Sequence, residues 1–165
     1  MPERELLPGG STGLRSGEAV RPERPVLLLS LGPAAGEATA VREIAWAPVP
    51  ARGSLVPQVE SYGLVRGKAP AVLLRRLLAA AEGADVHSDS AVLDRMRLDR
   101  LFAEAGQIRD FPIRSFAHLV GARTDPGLVQ AARTAAERLV PGRRSAATEL
   151  SVLLETYRLC RLYSG

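Results

Sequence analysis

Hydrophobic positions first form short runs along the chain and later adopt a helical spacing. Residues 26–31 are a continuous apolar run of strand length, and residues 41–49 alternate apolar and polar positions, as a second strand does. A third strand is predicted over residues 56–65. Turns near Gly36 and Gly53 would join the three strands into an antiparallel meander.

The second half of the chain mixes helices with short strands. Pro70 and Gly83 bracket an apolar stretch as the start and stop of a helix, and Gly106 ends another. The pattern predicts helices over 70–83, 91–105, 125–139 and 145–162, and strands over 84–88 and 111–116. The predicted fold class is therefore α/β. Its mixed sheet has three antiparallel strands followed by two strands that alternate with helices, and helices cover both faces.

Composition limits the class of protein without naming an activity. Residues 1–24 lack an apolar period and are predicted to be a flexible arm, so 25–165 would form one domain. The net charge is +4, from 22 Lys and Arg against 18 Asp and Glu, and Lys68 is the only lysine. This balance permits a polyanionic partner but does not require one, and the arginine-rich composition of a GC-rich genome also explains it.

Cysteine content and hydropathy suggest where the protein works. Cys160 is the only cysteine, so neither an internal disulfide nor a cysteine-based zinc site is expected, which fits a reducing cytoplasm. Its place on the apolar face of a helix favours a packed thiol over a nucleophile. No apolar run reaches membrane-spanning length, and we read no export signal.

Two acidic residues lie in phase with apolar helix faces. Asp94 shares a stripe with Leu98 and Leu101, and Glu149 shares one with Leu153. Burying a carboxylate is costly unless another group pairs with it, so the two acids could converge on one site. Alternatively, each is a first-turn acid stabilised by its helix dipole.

Four segments of the chain resemble a known family. In order they are "VLLLSLG", "REIAWAPV", "HSDSAVLDRMRLDRLFAEAG" and "RRSAATELSVLLETYR". They resemble the DEDDh-type 3′–5′ exonuclease domain family of the RNase H-like superfamily, over about residues 26–162. The resemblance implies an RNase H-like sheet, metal-dependent cleavage with Mg²⁺ or Mn²⁺, and single-stranded DNA or RNA as substrate.

Carried over by position, the resemblance implies a depleted active site. Ser30 and Gly32 occupy the places of the family's first Asp and Glu, and Arg144 occupies that of the general-base histidine. Asp94 matches the third acid, and Glu149 stands where the final Asp is expected. Asp94 and Glu149 are thus the retained catalytic acids and metal ligands that the resemblance implies.

These replacements predict weak or absent metal binding and little or no nuclease activity. Carboxylates hold the two ions of a two-metal nuclease, whereas Ser30 is a weak neutral ligand and Gly32 offers none. An arginine at position 144 stays protonated and cannot act as a base. Whether the chain is an enzyme stays open, since displaced acids such as Glu37 or Glu43 could preserve some activity.

Two functions remain for a depleted site. Arg143 and Arg144 could bind phosphate directly, which would make the chain a non-catalytic nucleic-acid-binding protein. Alternatively, Arg144 neutralises a retained acid, and the domain is a scaffold that contacts another protein or forms a homodimer.

A different metal site is also conceivable on the predicted fourth strand. Asp85, His87 and Asp89 alternate along "DVHSD" and could project to one side. A solvated strand end followed by a helix cap explains the same residues.

Overall fold

Strands and helices follow one another largely as the hydrophobic pattern predicts. The structure is a computed structural model and describes residues 24–33, 40–50, 58–121 and 124–163. Numbered in chain order, the strands are β1 (Val26–Pro33), β2 (Val41–Pro48), β3 (Glu60–Gly63), β4 (Asp85–Ser88) and β5 (Ile113–Ser115). The helices are α1 (Ala71–Ala81), α2 (Ala91–Glu104), α3 (Phe116–Gly121), α4 (Pro126–Leu139) and α5 (Ala146–Tyr163).

The strands form one mixed sheet in the order β3-β2-β1-β4-β5. β1 pairs antiparallel with β2, and β2 pairs antiparallel with β3, which is the predicted meander. β4 runs parallel to β1, and β5 runs parallel to β4. β1 therefore lies at the centre, where an antiparallel neighbour and a parallel neighbour meet. The α/β class and the mixed sheet are confirmed.

Helices cover both faces of the sheet, as predicted, because β1 is apolar on both sides. Leu27, Leu29 and Leu31 belong to a core that also contains the buried side of α1 and α2. Leu28 belongs to a second core on the opposite face, with residues of α3, α4 and α5. A strand whose two faces are both covered reads as a continuous apolar run, which "VLLLSL" is.

Local signals set several helix ends. Gly106 has a φ of 67°, and its N–H and that of Gln107 donate to the carbonyls of Ala103 and Phe102 in a Schellman arrangement. Asp125 caps α4, since its carboxylate accepts from the N–H of Gly127 at 2.8 Å. The predicted stop at Gly106 is thus confirmed.

Other boundaries differ from prediction. The segment predicted as a strand over 111–116 is extended only at Ile113–Ser115, and the next residues form α3, which was not predicted. α3 is shorter than two turns, so the apolar side chains that it packs on the core, Phe116, Leu119 and Val120, are too few to show a helical period. The turns expected near Gly36 and Gly53, and the arm over 1–24 apart from Arg24, lie outside the described residues.

Candidate functional site

A cavity of about 400 Å³ opens at the carboxyl end of β1. In open α/β sheets, ligands commonly bind outside the carboxyl ends of the strands. The walls come from β1, the start of α2 and the start of α5. Five residues singled out from the sequence line it together: Ser30, Gly32, Asp94, Arg144 and Glu149.

The position of Ser30 and Gly32 follows from strand alternation. Both are an even number of residues after Leu28, so they lie on the face that α5 covers. Ser30 is half-buried and lies opposite Ala45 of β2, and Gly32 lies opposite Glu43. The cavity floor therefore has one hydroxyl and a residue without a side chain.

Asp94 faces inward from the first turn of α2, as its phase with Leu98 and Leu101 predicts. It is only 4% exposed, and Oδ1 accepts a hydrogen bond from Nη1 of Arg97 at 3.3 Å. Burial raises the pKa of Asp94, while the nearby Ser88 hydroxyl and the Arg97 guanidinium oppose the rise. The carboxylate is therefore held in a desolvated ion pair with a buried arginine.

Arg97 was not identified from the sequence. It is 7% exposed and lines the cavity beside Asp94. The one local signal was its spacing, since a residue three positions after a buried acid lies on the same helix face. A buried arginine is rare enough that this spacing alone did not single it out.

The start of α5 brings the remaining predicted residues to the cavity. Glu149 lies in the first turn of α5 and is half-buried, and Arg144, which precedes the helix, is exposed at the cavity. Arg143 is exposed and does not line the cavity. Its backbone carbonyl accepts a hydrogen bond from the Thr148 hydroxyl at 3.0 Å. Of the two arginines that the sequence suggested as phosphate ligands, only Arg144 therefore lines the cavity.

Charges around the cavity are mixed, with arginines and acids in equal number. Asp89 lines the cavity, and Arg133 of α4 holds its carboxylate through two hydrogen bonds of 2.7 and 2.9 Å. This bond, with Coulombic attraction to Asp89, raises the pKa of Arg133 further. Three arginines, Arg42, Arg97 and Arg144, line the cavity with Asp94, Glu149 and Asp89, so three arginines face three acids. Within the described ranges, neither Arg42 nor Arg144 has an ion pair.

The alternative metal set on β4 is not assembled. Asp85 lies within 4.0 Å of two arginines, Nδ1 of His87 is 3.1 Å from the carbonyl oxygen of Ser115, and Asp89 is bound by Arg133. Across the part of the chain that the structure describes, no cluster of three or more His, Cys, Asp or Glu side chains has a metal-binding arrangement.

The residues present do not fit the pair of magnesium or manganese ions that the resemblance implies. Of the two acids retained in the cavity, Asp94 already neutralises Arg97. Glu43, a candidate for a displaced ligand, accepts a hydrogen bond from the N–H of Ala146 at 2.8 Å instead. Asp89, the third acid of the cavity, is bound by Arg133. Two divalent ions need several carboxylate oxygens, and guanidinium groups in the same cavity repel them. We therefore assign no step to a bound metal.

Comparison with known proteins gives no family for this chain. No protein-family model matches it, and no curated protein matches it. Among the described residues, no helix is both long enough and apolar enough to cross a membrane.

Proposed function

We propose that the chain is a non-catalytic member of the DEDDh-type exonuclease family, with an RNase H-like sheet, that binds nucleic acid. Its cavity holds a backbone phosphate by fixed positive charge where an active relative would hold metal ions. The partner class is single-stranded DNA or RNA.

One observation carries the proposal. The resemblance assigned five positions in three separate segments of the sequence, and all five line a single cavity. The cavity brings together segments more than a hundred residues apart, which supports an assignment that needs them in one site. The strand order β3-β2-β1-β4-β5, with two antiparallel pairs followed by two parallel ones, supports the same assignment.

Loss of catalysis follows from the residues at these positions. A general base is missing because Arg144 stands at the place of the histidine, and Asp94 is paired with Arg97 rather than available to a cation. Removing a single general base typically reduces the rate about 10²- to 10⁴-fold. Losing the metal ligands reduces it further.

Phosphate is the ligand that the remaining chemistry favours. A guanidinium carries several N–H donors in a plane that matches phosphate oxygens, and this pairing needs no metal. Arg144 is exposed at the cavity with Arg42 in the same lining. Deeper inside, Arg97 and Ser30 add further donors to the wall.

Fluorescence anisotropy with end-labelled single-stranded DNA and RNA tests the proposal. Binding is measured with EDTA and with Mg²⁺ or Mn²⁺, at several salt concentrations, and the same samples are run on a gel to detect trimming. The variants are Arg144→Ala, Asp94→Ala and the matched control Arg75→Ala. Arg75 is exposed on α1 and does not line the cavity.

We expect binding that salt weakens, that EDTA leaves unchanged, and that is accompanied by no trimming. Arg144→Ala should weaken it and lower the salt slope by about 0.7, the value for one phosphate contact on a single strand, whereas Arg75→Ala should not. Metal-dependent trimming that Asp94→Ala abolishes would overturn the non-catalytic assignment. If the chain neither trims nor binds the oligonucleotides, the protein scaffold is favoured instead.

A further inference from the structure

Glu43 joins the sheet to the start of α5. It lies on β2 and is half-buried, and its Oε2 accepts a hydrogen bond from the backbone N–H of Ala146 at 2.8 Å. The first N–H groups of a helix have no partner within the helix, so a carboxylate from another element is an effective cap. This bond links residues 103 positions apart.

Gly32 makes room for that bond. It lies opposite Glu43 in the β1–β2 register. A Cβ atom at position 32 would lie 3.2 Å from Cβ of Glu43, 3.5 Å from Oε2 of Glu43 and 3.7 Å from the nitrogen of Ala146. The φ of Gly32 is not positive, so space rather than backbone conformation makes glycine suitable here. We name Gly32, the Glu43 carboxylate and the Ala146 N–H together the latch.

The latch sits directly beside cavity-lining residues. Arg144 and Ser145 immediately precede α5, and Glu149 is in its first turn. The Ser145 hydroxyl accepts from the N–H of Thr148 at 3.0 Å, so two caps of different origin hold this end of the helix. Of these two caps, the one from Glu43 connects the start of α5 to the sheet that carries Ser30.

We infer that Glu43 is a positioning residue for the phosphate cavity. By fixing the start of α5 against β1 and β2, the latch holds Arg144 at the cavity, although Glu43 itself does not line it. This inference rests on the proposed function for its binding readout. It also accounts for the glycine at position 32, because a Cβ atom there would make a tight contact with Cβ of Glu43 and shift that side chain by a few tenths of an ångström.

Charge alone predicts the opposite effect of removing Glu43 on binding, so an affinity measurement distinguishes the two explanations. Removing Glu43 raises the net charge by one unit, and electrostatic attraction alone would then tighten binding to a polyanion. The latch instead predicts weaker binding, since Arg144 would occupy its binding position for a smaller fraction of the time. The measured affinity falls in proportion to that fraction.

The test compares Glu43→Ala with Glu43→Gln, which changes the charge equally but keeps an oxygen acceptor. Anisotropy with a labelled single-stranded oligonucleotide gives the affinity. Glu82→Ala, at an exposed acid that ends α1, is the control for charge. We expect Glu43→Ala to bind about three- to tenfold more weakly, as when the competent conformation falls to about a third to a tenth of molecules. Glu43→Gln and Glu82→Ala should bind at least as tightly as the original chain.

Amide hydrogen exchange gives a second readout that does not need nucleic acid. In Glu43→Ala the N–H of Ala146 should exchange faster, while amides in the middle of α5 such as that of Leu154 should not change. Gly32→Ala should accelerate the same amide, with no further effect when combined with Glu43→Ala.

The two readouts separate the inference from the proposed function. Unchanged exchange at Ala146, or tighter binding by Glu43→Ala, would overturn the latch. If the original chain binds no oligonucleotide, the proposed function fails. Exchange alone then decides whether Glu43 holds α5, and slow exchange in Glu43→Ala would reject it.

Discussion

Replacing Arg97 with methionine removes the partner of the buried carboxylate in the cavity. Asp94 and Arg97 have side chains only 5% and 8% exposed, and their nearest oxygen and nitrogen are 3.3 Å apart. Methionine keeps most of the aliphatic length of arginine, so the change mainly deletes the guanidinium. The remaining Asp94 must then stay ionised without this partner or take up a proton.

The pH limits how far Arg97→Met can lower the free energy of unfolding. Removing one partner of a buried pair typically destabilises a protein by about 3–5 kcal/mol. Protonating Asp94 limits that cost: each pH unit above its ordinary pKa of 3.8 costs about 1.36 kcal/mol, which gives about 4 kcal/mol at pH 7 and about 1.6 kcal/mol at pH 5. We expect Arg97→Met to lower the free energy of unfolding by about 3 kcal/mol at pH 7.

The sign of the pH dependence follows from linkage. Burial raises the pKa of Asp94 in the folded state, and loss of Arg97 raises it further, so the folded variant binds a proton more tightly than the unfolded chain. Acidification therefore stabilises the variant relative to the original chain. The penalty should shrink to less than about 1.6 kcal/mol at pH 5.

Urea titration followed by tryptophan fluorescence measures both values. Trp46 is the only tryptophan in the chain and is 1% exposed in the core, so its emission reports unfolding. Arg100→Met, at an exposed arginine on the same helix, is the matched control and should change stability by less than about 0.5 kcal/mol. A penalty under about 1 kcal/mol at pH 7, or one equal at both pH values, would refute the reasoning.

Three further predictions concern the surroundings of the cavity and the core. Asp89→Asn should tighten oligonucleotide binding measured by anisotropy, because Arg133 loses the carboxylate that now holds it; weaker binding would contradict this. Burial lowers the pKa of His87 below 6.5, so the unfolded chain binds its proton first and stability is lost as the pH falls below about 6.5. His87→Gln should flatten that loss in urea titrations, and an unchanged slope would exclude His87 as its source. Leu28→Ala, at a fully buried position, should cost about 2–5 kcal/mol in the same assay, and a cost below about 1 kcal/mol would show that the second core repacks.

Much of the fold could be predicted because its signals are local. The continuous apolar run of β1 indicates a strand covered on both faces, and a glycine such as Gly106 ends a helix by adopting a backbone conformation that other residues avoid. The inward position of Asp94 followed from its phase with Leu98. α3 could not be predicted, since one and a half turns offer too few positions for a period.

The sequence by itself determined most of the elements, the α/β class and the helix face on which Asp94 lies, since each depends on neighbours within a few residues. Only the tertiary structure decided that Ser30 and Glu149 share a cavity and that Glu43 caps a helix 103 positions away. Those pairings depend on strand order and on which side chains reach one another across packed elements. The spacing of residues along one element does not predict contacts between distant segments of the chain.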